Sequence, residues 1–316
     1  YYFLALMEVV ITDMDYEVDY FQSAVVPIGA ERPKRILILG SSGQVGAYLS
    51  EYLRSEGYEV LEFDIVNDRS QDMTVIPNGE LEAKIYMADF VYFLAFDVGG
   101  SHYLKKYQHT FKFIDNNTRL MANAFGLIEK YNKPFIFASS QMSNMSYSPY
   151  GVMKRVGELY TKSLNGVIVK FWNVYGIEKD MEKAHVITDF IRKGFESGNI
   201  DMMTDGTEAR EFLYAEDCCE ALHKLMGSYD DLSSNDELHI TTGNYTTILE
   251  IAEIIQRLFS NIGKEIMISP AESKDEVQKD ARNVPDPYIR KFWEPKTSVK
   301  EGITKVCEEM RKDYDS

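Results

Sequence analysis

From residue 35 onward, short apolar runs alternate with longer stretches in which apolar positions recur every three or four residues. The short runs lie at 35–39, 58–64, 90–96, 134–139 and 167–173. Their few polar interruptions suit strands covered by helices on both faces. Between them Val45, Leu49 and Leu53 keep helical spacing, and longer helices are expected over 102–131 and 150–163. Strand and helix in alternation predict an α/β fold on a parallel sheet. Beyond Asn173 the elements shorten and turn more polar, with helices expected near 184–196, 215–226, 247–259 and 298–311, which reads as a second, smaller lobe. The acid- and Lys-rich stretch 272–280 reads as a solvated loop, and no internal repeat is present.

Length and composition narrow the class. With 316 residues, 45% of them hydrophobic, the chain can bury a large core and fill two lobes. Its 50 acidic against 34 basic side chains leave a formal charge of −16, and no Lys/Arg run offsets it, so nucleic acid is not an expected partner. Cys218, Cys219 and Cys307 form neither a disulfide framework nor a C-x-x-C knuckle, which predicts reduced thiols, a cytoplasmic setting and no metal site. The apolar opening 1–7 is far shorter than the roughly 20 residues a bilayer needs and runs into Glu8, Asp13 and Asp15; neither a membrane span nor a secretory signal is expected. Residues 1–33 read as an N-terminal extension, and because the first residue is Tyr rather than Met, earlier residues are expected to precede it.

The most informative local pattern follows the first strand. Gly40, Gly43 and Gly46 make G-x-x-G-x-x-G between a strand and a helix. Gly40 would permit the tight turn, Gly43 would let a pyrophosphate approach the backbone, and Gly46 would let the helix pack closely with its N-terminal amides facing negative charge. Asp64 closes the second strand, where a carboxylate accepts from ribose hydroxyls and repels a 2′-phosphate, so NAD(H) is expected over NADP(H). Asp72 is a candidate acceptor for the adenine amino group. A second pattern, Tyr150-x-x-x-Lys154, puts a phenol and an ammonium on one helix face. The ammonium is expected to lower the phenol pKa from about 10 toward neutrality and make the tyrosinate usable as a base. The preceding strand ends in Ser139-Ser140, whose hydroxyl could hold the same substrate oxygen.

At this point the chain resembles the extended short-chain dehydrogenase/reductases that modify nucleotide sugars, the NAD-dependent epimerase/dehydratase family. The resemblance spans about 34–310 and rests on GSSGQVG at 40–46, VYFLAF at 91–96, FASS at 137–140, YGVMK at 150–154, NVYG at 173–176, DGTEAREFLYAED at 205–217 and FWEPKTSVKEGI at 292–303. It implies a Rossmann doubly wound parallel sheet over 34–176, with return segments near 211–242, and a smaller C-terminal α/β lobe over 177–316 that mainly binds the nucleotide sugar. It also implies Tyr150 as general base, Lys154 as its pKa partner and ribose ligand, and Ser140 as the hydroxyl aligner. The NAD site would take in Ser42, Gln44 and Val45 of the turn and Leu94 and Ala95 after the third strand. Gly100, Ser101, Gln141, Asn173, Lys183 and Arg210 would face the substrate, Arg210 near its pyrophosphate. A homodimer through the helices 102–131 and 150–163 is implied as well.

The residues around Ser140 bear on the reaction. The family's 4,6-dehydratases place Asp-Glu after the aligner; Gln141 and Met142 stand here, and neither transfers a proton. FDVGGS at 96–101, NNT at 116–118 and EKAH at 182–185 look most like the GDP-mannose 3,5-epimerase branch, with Lys183 matching its Lys but Met142 in place of its Cys. A thioether shuttles no proton. The leading expectation is therefore oxidation at C4 of a GDP-mannose-like or GDP-heptose-like sugar to a 4-keto sugar. UDP-hexose 4-epimerisation is the alternative, and a non-catalytic NAD(H) sensor is the reading from a different class.

Overall fold

The computed structural model describes residues 34–278 and 283–315; the expected extension 1–33 lies outside the described residues. The first part runs β1 (Arg35–Leu39), α1 (Gln44–Ser55), β2 (Glu59–Phe63), α2 (Gly79–Met87), β3 (Phe90–Phe93), α3 (Ser101–Tyr107), α4 (Phe111–Lys130), β4 (Phe135–Ser140), α5 (Pro149–Ser163) and β5 (Val167–Phe171). It continues through β6 (Asn173–Tyr175), α6 (Val186–Glu196), β7 (Asn199–Asp201), β8 (Ala209–Tyr214), α7 (Ala215–Gly227), β9 (Leu238–Ile240), β10 (Tyr245–Thr247), α8 (Ile248–Asn261), β11 (Met267–Ser269) and α9 (Val299–Asp315).

Six parallel strands form the main sheet in the order β2-β1-β3-β4-β5-β9. Side chains alternate across it. Ile36 and Ile38 point to the face covered by α1 and α7, while Leu37 and Leu39 point to the face covered by α2, α4 and α5. Burial on both faces explains why β1 and β3 are almost wholly apolar, each fully buried Leu or Ile contributing about 1.5–3 kcal/mol before entropy. The strand order reverses between β1 and β3, and the crevice beyond their carboxyl ends is where such sheets hold ligands. The later residues build a separate core from α6, α8 and α9, with Ile187, Ile191, Ile251, Ile255, Ile303 and Val306 buried together, flanked by the small sheets β10-β8-β6 and β11-β7.

Three elements differ from the periodicity. The helix expected over 102–131 is two, because Thr110 turns its hydroxyl to the Phe113 amide at 3.2 Å and starts α4 afresh. The run 167–173 splits at Trp172: β5 stays in the main sheet and β6 leaves it to pair with β8. The helix α2 was not expected from its short, weakly periodic sequence; Asn78 starts it by accepting the Leu81 amide. No described helix is long and apolar enough to cross a membrane.

Candidate active site

The glycine turn after β1 is shaped by close approach. Gly40 has φ 88°, and a Cβ there would stand 2.7 Å from the backbone of Ala95; one on Gly46 would overlap the Gly40 carbonyl oxygen. No side chain caps α1, and its first turn carries no acid, so its leading amides are available to an anion. Asp64 binds this turn directly, its Oδ2 accepting from the Ser42 amide at 3.0 Å and its Oδ1 from the Val66 amide at 2.9 Å. A carboxylate has about four acceptor positions, which leaves two for a ligand. Asp72 accepts from both the amide and the hydroxyl of Thr74 at the rim. Gly40, Ser42, Gly43, Gln44, Val45, Gly46, Asp64, Asp72, Leu94 and Ala95 all border one cleft of about 1330 Å³, and so do Ser140, Tyr150 and Lys154.

At its inner end β4 stops at Ser140, whose Oγ accepts the Met142 amide at 3.1 Å and which borders the cleft together with Tyr150. Ser148 and Pro149 start α5 and so place Tyr150 in its first turn. Lys154, one turn on, donates to the Ala138 carbonyl at 2.7 Å and lies 3.8 Å from the centre of the Phe96 ring. Its acidity relation to Tyr150 is the reverse of the expected one. Burial pushes the Tyr150 phenol up to about 12 against the Ser140 hydrogen bond, and pushes Lys154 down to about 7 against the Glu158 carboxylate. The ammonium is 5.9 Å from the phenol ring centre, and loss of water is the largest influence on both groups.

The residues expected at the sugar end are less uniformly placed. Lys183 borders the cleft, with Nζ 3.4 Å from Asp97 Oδ1 and 5.1 Å from the Tyr103 ring centre. Asp97 also accepts from the Tyr103 hydroxyl and Asn116. Asn173 sits on β6, its buried Oδ1 without a hydrogen-bond partner among the described residues. Neither Asn173 nor four other residues expected there border this cleft. Gly100 is a packing seam, buried with its amide on the Lys183 carbonyl, and Ser101 is exposed at the start of α3. Gln141 turns away into a second cavity of about 470 Å³, where its Nε2 donates to Gln278 Oε1 at 3.1 Å. Arg210 forms a buried ion pair with Asp275 at 2.6 Å and also donates to the Ala209 carbonyl.

Two groups at the site were not singled out from the sequence: Glu158 below Lys154, and Glu178, which pairs with His185 at 2.7 Å on the cleft wall. Burial lowers the His185 pKa but the Glu178 carboxylate outweighs it, so the net direction is up. Only Glu158 had a local signal, four positions beyond Lys154 on the same helix face.

Residues 36–241 match the model of the NAD dependent epimerase/dehydratase family. The chain belongs to this family. Among its relatives, UDP-glucuronic acid decarboxylase 1 of Xenopus tropicalis is 24% identical over 89% of this chain and 73% of its own length. A putative UDP-glucose 4-epimerase of Methanocaldococcus jannaschii is 25% identical over 87% of this chain and 98% of its own length. The solved structure of the epimerase Mth375 from Methanothermobacter thermautotrophicus shares the fold, with TM-score 0.77 and 19% identity over 90% of this chain and 94% of that one. The family's cofactor is NAD, and the chain's own features fit it: uncapped amides on α1, a turn that admits no Cβ at Gly40 or Gly46, and Asp64 with acceptor positions to spare.

Proposed function

We propose that this family member oxidises C4 of a nucleotide sugar to a 4-keto sugar. The observation that supports this reading is placement: Ser140, Tyr150 and Lys154 border the same cleft as the glycine turn that follows β1. A phenol and an alcohol can hold a substrate hydroxyl, and the phenol, once ionised to tyrosinate, can take its proton; expelling a C6 hydroxyl or inverting C3 or C5 needs a further acid or base beside them. The two positions after Ser140 are unsuited to that. Gln141 faces the second cavity, and Met142 is buried with Leu104, Phe113 and Met145. In this reading Tyr150 takes the hydroxyl proton, Ser140 orients the oxygen and Lys154 supplies positive charge beneath them. Lys183 faces the sugar nucleotide from the cleft wall, and the amides of α1 face the dinucleotide phosphates. NAD, when bound, supplies the hydride acceptor. The reading includes a homodimer through α4 and α5, whose outer faces leave Phe111, Ile114, Val152 and Leu159 exposed; a monomer in sedimentation at micromolar concentration contradicts it.

The test is incubation with NAD and a panel of GDP-mannose, a GDP-heptose, UDP-glucose and UDP-glucuronic acid in deuterated water, with products followed by NMR. The expected product is a 4-keto sugar with the C6 substituent kept and no deuterium at C3 or C5 beyond slow enolisation. UDP-glucuronic acid would report the same oxidation as lost carbon dioxide, since its 4-ketone is a β-keto acid. Early deuterium at C5 with loss of the C6 hydroxyl overturns the reading. A second reading, UDP-hexose 4-epimerisation, is favoured by needing no group beyond Ser140, Tyr150 and Lys154, and an inverted C4 without exchange selects it.

A further inference from the structure

The face of α5 packed on β4 carries Tyr150, Lys154 and Glu158 at intervals of four. The first two border the cleft. Glu158 lies deeper, 1% exposed, where Ser139 Oγ donates to its Oε1 at 2.6 Å and Arg155 Nη1 donates to its Oε2 at 2.7 Å. Taking a carboxylate out of water is costly; Arg155, half-exposed, offsets that cost at one oxygen, while the Ser139 hydroxyl at the other would be held as well by a neutral amide. The other buried charge here is Lys154. Its Nζ bonds the carbonyl of Ala138, the residue before Ser139, so the ammonium and the carboxylate are joined through consecutive residues of β4. The remaining groups around Lys154 are the Tyr150 phenol on its own helix, the Ser139 and Ser140 hydroxyls of β4, and the rings of Phe96 and Phe137. Among the described residues Glu158 is the carboxylate that acts on it.

We propose that Glu158 is a positioning residue that holds Lys154 in its cationic form by charge across Ser139. The consequence for turnover rests on the reading of Tyr150 and Lys154 as the catalytic pair; the charge coupling itself does not. Burial drives Lys154 down to about 7 while Glu158 opposes it, so loss of the carboxylate sends the amine lower and withdraws the cation that favours tyrosinate.

The coupling is read directly in the full chain by NMR titration of ¹³Cε-labelled lysine, the Lys154 signal being assigned by its loss in Lys154→Arg. In Glu158→Gln, which keeps an acceptor for Ser139, the Lys154 midpoint is expected to fall by about one pH unit, the lower end of what an opposite charge nearby imposes. Glu158→Asp keeps the charge and is expected to hold the midpoint near the wild-type value while losing some thermal stability. A midpoint unchanged in the Gln variant, or one that falls as far with Asp as with Gln, overturns the proposal and leaves Glu158 a strut; if the Gln variant does not fold, a lowered midpoint in the Asp variant does the same. In turnover, the alkaline limb of kcat, where Lys154 loses its proton, should move down with Gln and return with Asp, with KM for the sugar held. A Lys154 midpoint that falls while the kcat profile stays put supports the charge coupling and breaks the catalytic reading of the pair instead.

Discussion

The two ends of the cleft are built from different materials. At the cofactor end, the ligand-facing surface is largely backbone, with the turn 40–46 pressed against Ala95, the bare amides of α1, and one carboxylate that braces the turn. At the opposite end, which the proposed function gives to the sugar, it is side chains drawn from distant segments: Asp97, Asn116, Lys183, His185 and Trp172. Backbone geometry written by glycine spacing tolerates little change, whereas a wall of side chains can be rewritten one residue at a time. That difference teaches why the cofactor follows from the family while the sugar does not.

The largest effect expected from this contrast is at the junction of the two ends. Tyr150→Phe should reduce sugar oxidation by about 10²-fold or more while NAD binding holds, as expected for loss of a general base. Near-normal turnover would shift the chemistry to the sugar wall, with Lys183 and His185 next to be replaced. A test of the sugar lobe alone is Arg210→Met, which strands Asp275 in a buried place. Urea denaturation should show a loss of about 3 kcal/mol, the low end for breaking a buried ion pair; a loss under 1 kcal/mol would mean that the pair is not held.

A subtler difference should appear with pH. Lys154 titrates near 7 in the folded protein and at 10.5 when exposed, so its burial destabilises the fold in full below pH 7, and the penalty relaxes as pH rises from 7 to 10.5. Stability of wild type relative to Lys154→Met should therefore climb across that window and level off above it. A flat difference would place the ammonium in a wetter setting than the structure does. The smallest effect sharpens the cofactor end: Asp64→Ala should weaken NAD(H) binding roughly tenfold, the scale of a charge-assisted hydrogen bond, with little change in melting temperature. An equal or better affinity for NADP(H) in the wild type would contradict the role given to this carboxylate.

Much of the first five strands was legible because most are apolar runs with few polar interruptions, and β1 spans the residues its pattern predicts. What escaped was decided by single polar side chains acting locally, such as Thr110 restarting a helix and Asn78 starting one. The pKa relation of Tyr150 and Lys154 escaped for another reason. Spacing placed the two together, but the direction of both shifts depended on how much water the fold removes.

The sequence by itself determined the parallel α/β frame, the dinucleotide turn and the order Ser140, Tyr150, Lys154 along one strand and one helix. These are encoded within a few residues of one another, in glycine spacing and hydrophobic period. Tertiary structure alone decided where Arg210 and Gln141 went. Arg210 meets Asp275 from 65 positions away, and Gln141 meets Gln278 from 137. A motif residue keeps its place along the chain, but the partner that claims its polar group is chosen by whichever segment the folded chain packs against it.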